Sequence, residues 1–78
     1  MIRRDTFVNK IRDLGYTLKG ETKRVHIWRK KGGTHYMPVH KVDKKLEDEF
    51  VKSALSQAGM KKDDIKTFID LHSVPEAE

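Results

Sequence analysis

The chain lacks cysteine entirely, carries two prolines, one tryptophan and two tyrosines, and has no long apolar run. Without cysteine, a disulfide framework and a thiolate metal site are both excluded. No segment approaches the ~20 apolar residues needed to cross a bilayer, and no signal-peptide core is present, so cytoplasmic residence is expected. At 78 residues the expectation is one domain with a thin core, burying about 60–65% of the surface of the unfolded chain. Seventeen Lys and Arg against twelve Asp and Glu leave a net charge of +5. That excess favours an anionic partner, either a polyphosphate backbone or an acidic protein.

The chemistry-bearing residues gather in the central third. Residues 23–40, KRVHIWRKKGGTHYMPVH, hold three of the four histidines, the only tryptophan and a dense group of cations. Two β-favouring runs, VHIW and THYMPV, flank a KKGG turn signal, the pattern of an antiparallel hairpin. Alternation separates Val25 and Ile27 from His26 and Trp28 on its first strand, and His35, Met37 and Val39 from Thr34, Tyr36 and Pro38 on its second. One residue of register exchanges the buried and exposed sets. The KKGG turn fits an even loop, which puts Trp28 and Met37 against a cover and leaves Val25, Ile27 and Tyr36 outward.

Around the hairpin the periodicity is helical. Phe7, Val8, Ile11 and Leu14 form the stripe of an amphipathic helix over residues 3–14, with Gly15 as its left-handed stop. Arg3 and Arg4 stand at its start, against the helix dipole, as solvated side chains or as the mark of a binding role. A short strand at 16–18 and a turn through Gly20-Glu21-Thr22 lead to the hairpin, whose third strand should lie at an edge because Pro38 cannot donate to a ladder. Asp43 can cap a second helix, with Leu46, Phe50, Ala54, Leu55 and Ala58 buried and Gly59 ending it. A third helix at 62–71 carries Ile65, Phe68 and Ile69. The expected class is α+β: a three-stranded antiparallel sheet covered on one face by two helices, plus a short C-terminal helix. The domain should span 1–72, with 73–78 as a frayed tail.

Leu14-Gly15-Tyr16 at the end of the first helix, Pro38-Val39-His40 closing the hairpin and Gln57-Ala58-Gly59 ending the second helix together resemble the HicA toxin family of toxin–antitoxin systems. The resemblance covers residues 3–68. It implies a double-stranded-RNA-binding-domain-like α-β-β-β-α fold and a metal-independent endoribonuclease that cuts mRNA. It also implies neutralisation by a HicB-like antitoxin protein, with no cofactor and no membrane partner. The family's signature, Gly-Ser-His followed two residues later by an aromatic, aligns on Trp28. Lys23-Arg24-Val25 then stands where Gly-Ser-His is expected, and His26 lies one residue late.

Metal-free RNA cleavage needs a base for the 2′-hydroxyl and an acid for the departing 5′ oxygen, and histidine suits both roles. His26 is therefore the first catalytic candidate, His40 the second and His35 the third. Lys23, Arg24, Arg29, Lys30, Lys31 and Lys41 are the candidate phosphate contacts, with Lys44 and Lys45 beside them. Tyr36 is the candidate for stacking on a base, and Trp28 reads as core. The three hairpin histidines lack an evident fourth ligand and alternate between faces, so no metal site is expected. Two further readings stay open: an RNA- or protein-binding module on the same scaffold without cleavage, and a basic face that docks an acidic protein.

Overall fold

Phe7, Val8 and Ile11 repeat at helical spacing, and α1 (Arg4–Asp13) buries all three. Leu14 caps it, and Gly15 then adopts a φ of +99°, donating its N–H to the Arg12 carbonyl at 3.0 Å. This left-handed step is open to glycine at little steric cost, and it turns the chain directly into the sheet. The computed structural model describes residues 1–33 and 35–75.

Three strands form the antiparallel sheet: β2 (Tyr16–Glu21), β3 (Val25–Lys30) and β4 (Tyr36–His40), with β3 central. Labels β1 (Ile2–Arg3) and β5 (Lys45–Leu46) denote a separate two-stranded antiparallel ribbon. In the hairpin Trp28 pairs with Met37, the register of an even loop, and both side chains are buried. Gly33 donates to the Lys30 carbonyl at 2.9 Å, and Gly32 takes a φ of +77° at the third position of that turn, as a type II turn requires. Pro38 lies on the edge strand β4, where its missing N–H costs no interior ladder bond. The expected strand start at Thr34 lies outside the described residues.

Three expectations are corrected. The first strand does not end at Leu18: a register shift between Leu18 and Gly20 carries β2 on to Glu21, beside His26. The turn falls instead at 22–25, where Thr22 donates to the Val25 carbonyl and its hydroxyl accepts the N–H groups of Arg24 and Val25. Asp43 does not cap the second helix. Residues 45–46 are consumed by β5, and α2 (Asp48–Gln57) starts beyond them. Leu46, Ala54, Leu55 and Ala58 are buried as expected and Val51 joins them, while Phe50 is only half-buried, with its ring edge-on to Phe7 at 5.7 Å. The tail is not free from Ser73 onward: Ser73 bridges to Ile2, and Val74 donates to the Met1 carbonyl at 2.7 Å. Residues 76–78 lie outside the described ones.

α3 (Lys62–His72) buries Ile65, Phe68 and Ile69. One apolar cluster results, running from Ile2 through α1, the covered sheet face (Tyr16, Trp28, Met37, Val39) and α2 to α3. The opposite sheet face carries Ile27, Arg29, Tyr36 and Pro38, and no helix among the described residues covers it. No helix among the described residues is long and apolar enough to cross a membrane.

Candidate functional site

Strand alternation decides where His26 goes. It lies two residues from Trp28 and opposite Val39 and Glu21, so its ring belongs to the covered side of the sheet. It sits near the start of β3, however, where α1 begins and the cover ends, and its side chain keeps 28% of its accessible surface.

Arg4, in the first turn of α1, closes over this corner. Its Nη2 is 2.7 Å from His26 Nδ1, and its Nε donates to the His40 backbone carbonyl at 2.8 Å. A guanidinium can only donate, so Nδ1 must accept, and the proton of the neutral ring resides on Nε2. Nε2 faces Glu21 Oε2 at 3.5 Å. The same carboxylate oxygen receives Lys41 Nζ at 2.7 Å. The Lys41 hydrogen bond and charge hold the Glu21 carboxyl below its usual range; burial opposes this weakly, and His26 adds a smaller lowering. An imidazole, an ionised carboxylate and two cations thus meet at one corner, each on a different element or turn.

The other expected residues are distributed differently. His40 pairs with Val25, one ladder position from His26, so the two rings point to opposite faces of the sheet. Its ring is more than half exposed, with Nδ1 4.0 Å from Asp43; only its carbonyl reaches the corner, through Arg4. His35 Nε2 lies 3.0 Å from Gln57 Oε1 at the end of α2. Lys23 and Arg24 are exposed in the β2–β3 turn. Arg29, Lys30, Lys31 and Tyr36 gather at the far end of the hairpin, about 10–16 Å along the strand from His26 at ~3.3 Å per strand residue. There Arg29 donates to the Gly33 carbonyl at 2.6 Å and lies 5.4 Å over the Tyr36 ring, while Lys30 Nζ reaches the Ala58 carbonyl at 3.5 Å. The basic residues therefore form two groups at opposite ends of β3. Among the described residues, no three His, Asp or Glu side chains are placed to share a metal ion.

Two members of the corner, Arg4 and Glu21, were not among the candidate catalytic or phosphate-binding residues read from the sequence. Arg4 carried a signal, a cation placed against the dipole of its own helix. Glu21 carried none, because the register shift that brings it beside His26 is not encoded in the local alternation. No protein-family model, curated protein or solved structure matches this chain.

Proposed function

We propose that this protein is a HicA-like toxin: a metal-independent endoribonuclease acting on mRNA in the cytoplasm and held in check by a HicB-like antitoxin protein. The observation that supports this most is the meeting of His26 with Arg4, Glu21 and Lys41 at a partly open corner. These are the group types that cleavage by transesterification requires. A substrate phosphate competes for the Arg4 guanidinium and frees His26 Nδ1. Nδ1 then takes the proton of the 2′-hydroxyl as the 2′-oxygen–phosphorus bond forms and the bond from phosphorus to the 5′ oxygen breaks. Solvent protonates that oxygen, leaving a 2′,3′-cyclic phosphate and a 5′-hydroxyl end. Glu21 orients the ring through Nε2–H and stabilises the imidazolium that forms. Arg4 and Lys41 offset the charge growing on the phosphoryl oxygens. The proton later leaves the imidazolium to solvent.

A second reading has its own support. Both ring nitrogens already face protein groups, and Val25 stands at the signature position, which fits a module that binds RNA without cutting it. End-labelled RNA incubated with the protein in EDTA separates the two. Cleavage that falls by about 10²-fold or more in His26→Ala is the expected result. Intact RNA that is nonetheless retarded on a gel selects the binding module, and no retardation at low salt points to an acidic protein partner instead.

A further inference from the structure

Beyond the corner at His26 runs a groove of about 420 Å³ between α1, β2 and β3, lined among others by Arg4, Val8, Asn9, Arg12, Leu18 and Trp28. Its size falls within the range of ligand sites. Arg4, Val8 and Arg12 follow one another at four-residue spacing along one face of α1, which sets the two arginines about 12 Å apart at ~1.5 Å of rise per residue. Arg12 forms no ion pair with any described residue; its guanidinium lies 5.3 Å over the Trp28 ring. Asp5 is the one carboxylate on the lining, so two guanidiniums face a single negative charge.

The floor between the arginines is apolar. Trp28 is 98% buried beneath it, while Leu18 leaves 49% of its surface to solvent. Trp28 Nε1 is buried and has no hydrogen-bond partner among the described residues. Asn9 adds an exposed amide with both donor and acceptor atoms.

We infer that this groove seats the nucleoside adjoining the phosphate held at His26, with Arg12 binding the next phosphate along a single RNA strand. The inference rests on the RNA-directed reading above and adds to it a subsite: a cation at each end, an apolar floor for ribose and base, and the Asn9 amide beside the base edge. The open face at Arg29 and Tyr36 is not part of it.

The test is binding of a dye-labelled oligonucleotide that cannot be cut because every ribose carries a 2′-O-methyl group. It is read in parallel by dye anisotropy and by the emission of Trp28, the only tryptophan. In the wild type both signals should saturate together. Arg12→Gln, which keeps a good helix former at an exposed position, should bind at least tenfold more weakly. It should also flatten the slope of log affinity against log salt by about 0.7, one phosphate on a single strand. Lys66→Gln, the same charge change on α3 and outside the groove, should stay within twofold. Arg12→Gln binding no worse than Lys66→Gln, anisotropy saturating with no change at Trp28, or no binding by the wild type each overturns the inference. Cleavage of the unmodified oligonucleotide is scored separately. Groove-dependent binding without cleavage would sink the nuclease reading alone, and cleavage with unaltered Arg12→Gln binding would sink the groove alone.

Discussion

Arg4→Ala is the substitution that probes the corner most directly. The side chain links the start of α1 to β3 through His26 Nδ1 at 2.7 Å and to β4 through the His40 carbonyl at 2.8 Å. Hydrogen bonds to a charged group are each worth about 1.5–3 kcal/mol in favourable settings, but the first here is half-buried and the second exposed. Solvent screening takes both below that range, to about 1 kcal/mol each, so the pair contributes roughly 1.5–2.5 kcal/mol. Removing a cation from a helix N-terminus and introducing alanine return about 0.5 kcal/mol. The net loss is about 1–2 kcal/mol, set against a total of roughly 4–12 kcal/mol for a chain of this length. At ~4–8 °C per kcal/mol the melting temperature should fall by roughly 5–15 °C, followed by far-ultraviolet circular dichroism at pH 7.5. Arg4→Lys keeps the charge and loses the forked donor geometry, so it should fall at least half as far. A melting temperature within 1 °C (about 0.2 kcal/mol) of the wild type for Arg4→Ala would refute the bridge. So would long-range nitrogen–proton spectra of the wild type showing the neutral His26 proton on Nδ1.

Two further outcomes concern stability. Glu21 titrates below its ordinary 4.5 because of Lys41; a depressed carboxyl stabilises the fold above the unfolded value and loses that contribution as pH falls through the folded one. The stability of Glu21→Gln and Lys41→Met, measured by urea unfolding across the acid range, should therefore decline less steeply below pH 4.5 than that of the wild type; superimposable slopes would remove the ion pair from the acid response. Phe7 is fully buried and packs edge-on against Phe50, so Phe7→Ala should cost about 3–5 kcal/mol and leave the domain barely folded. A urea midpoint reporting a loss below about 1.5 kcal/mol would mean that the core closes around the deletion.

The elements were legible wherever one local period governed them. Phe7, Val8 and Ile11, and likewise Ile65, Phe68 and Ile69, declare their helices because each set repeats at the helical period along one buried stripe. The hairpin register was legible from turn chemistry: an even KKGG loop sends Trp28 and Met37 inward together. The start of α2 was not. Asp43 is a good cap by type, yet residues 45–46 are claimed by pairing with Ile2 and Arg3, more than forty positions away. No window of sequence contains both halves of that ribbon.

The site divides along the same line. From the residues alone come a basic, histidine-bearing hairpin, its side-chain alternation and a charge that favours anions, because these follow from composition and a two-residue period. The tertiary structure alone decides that His26 meets Arg4 and Glu21 rather than His40. It does so because adjacent ladder positions point to opposite faces, while a register shift in β2 and the placement of the first turn of α1 carry a carboxylate and a guanidinium to the same ring. Contacts between residues far apart in the chain leave no local periodic signal, and this corner is made of such contacts.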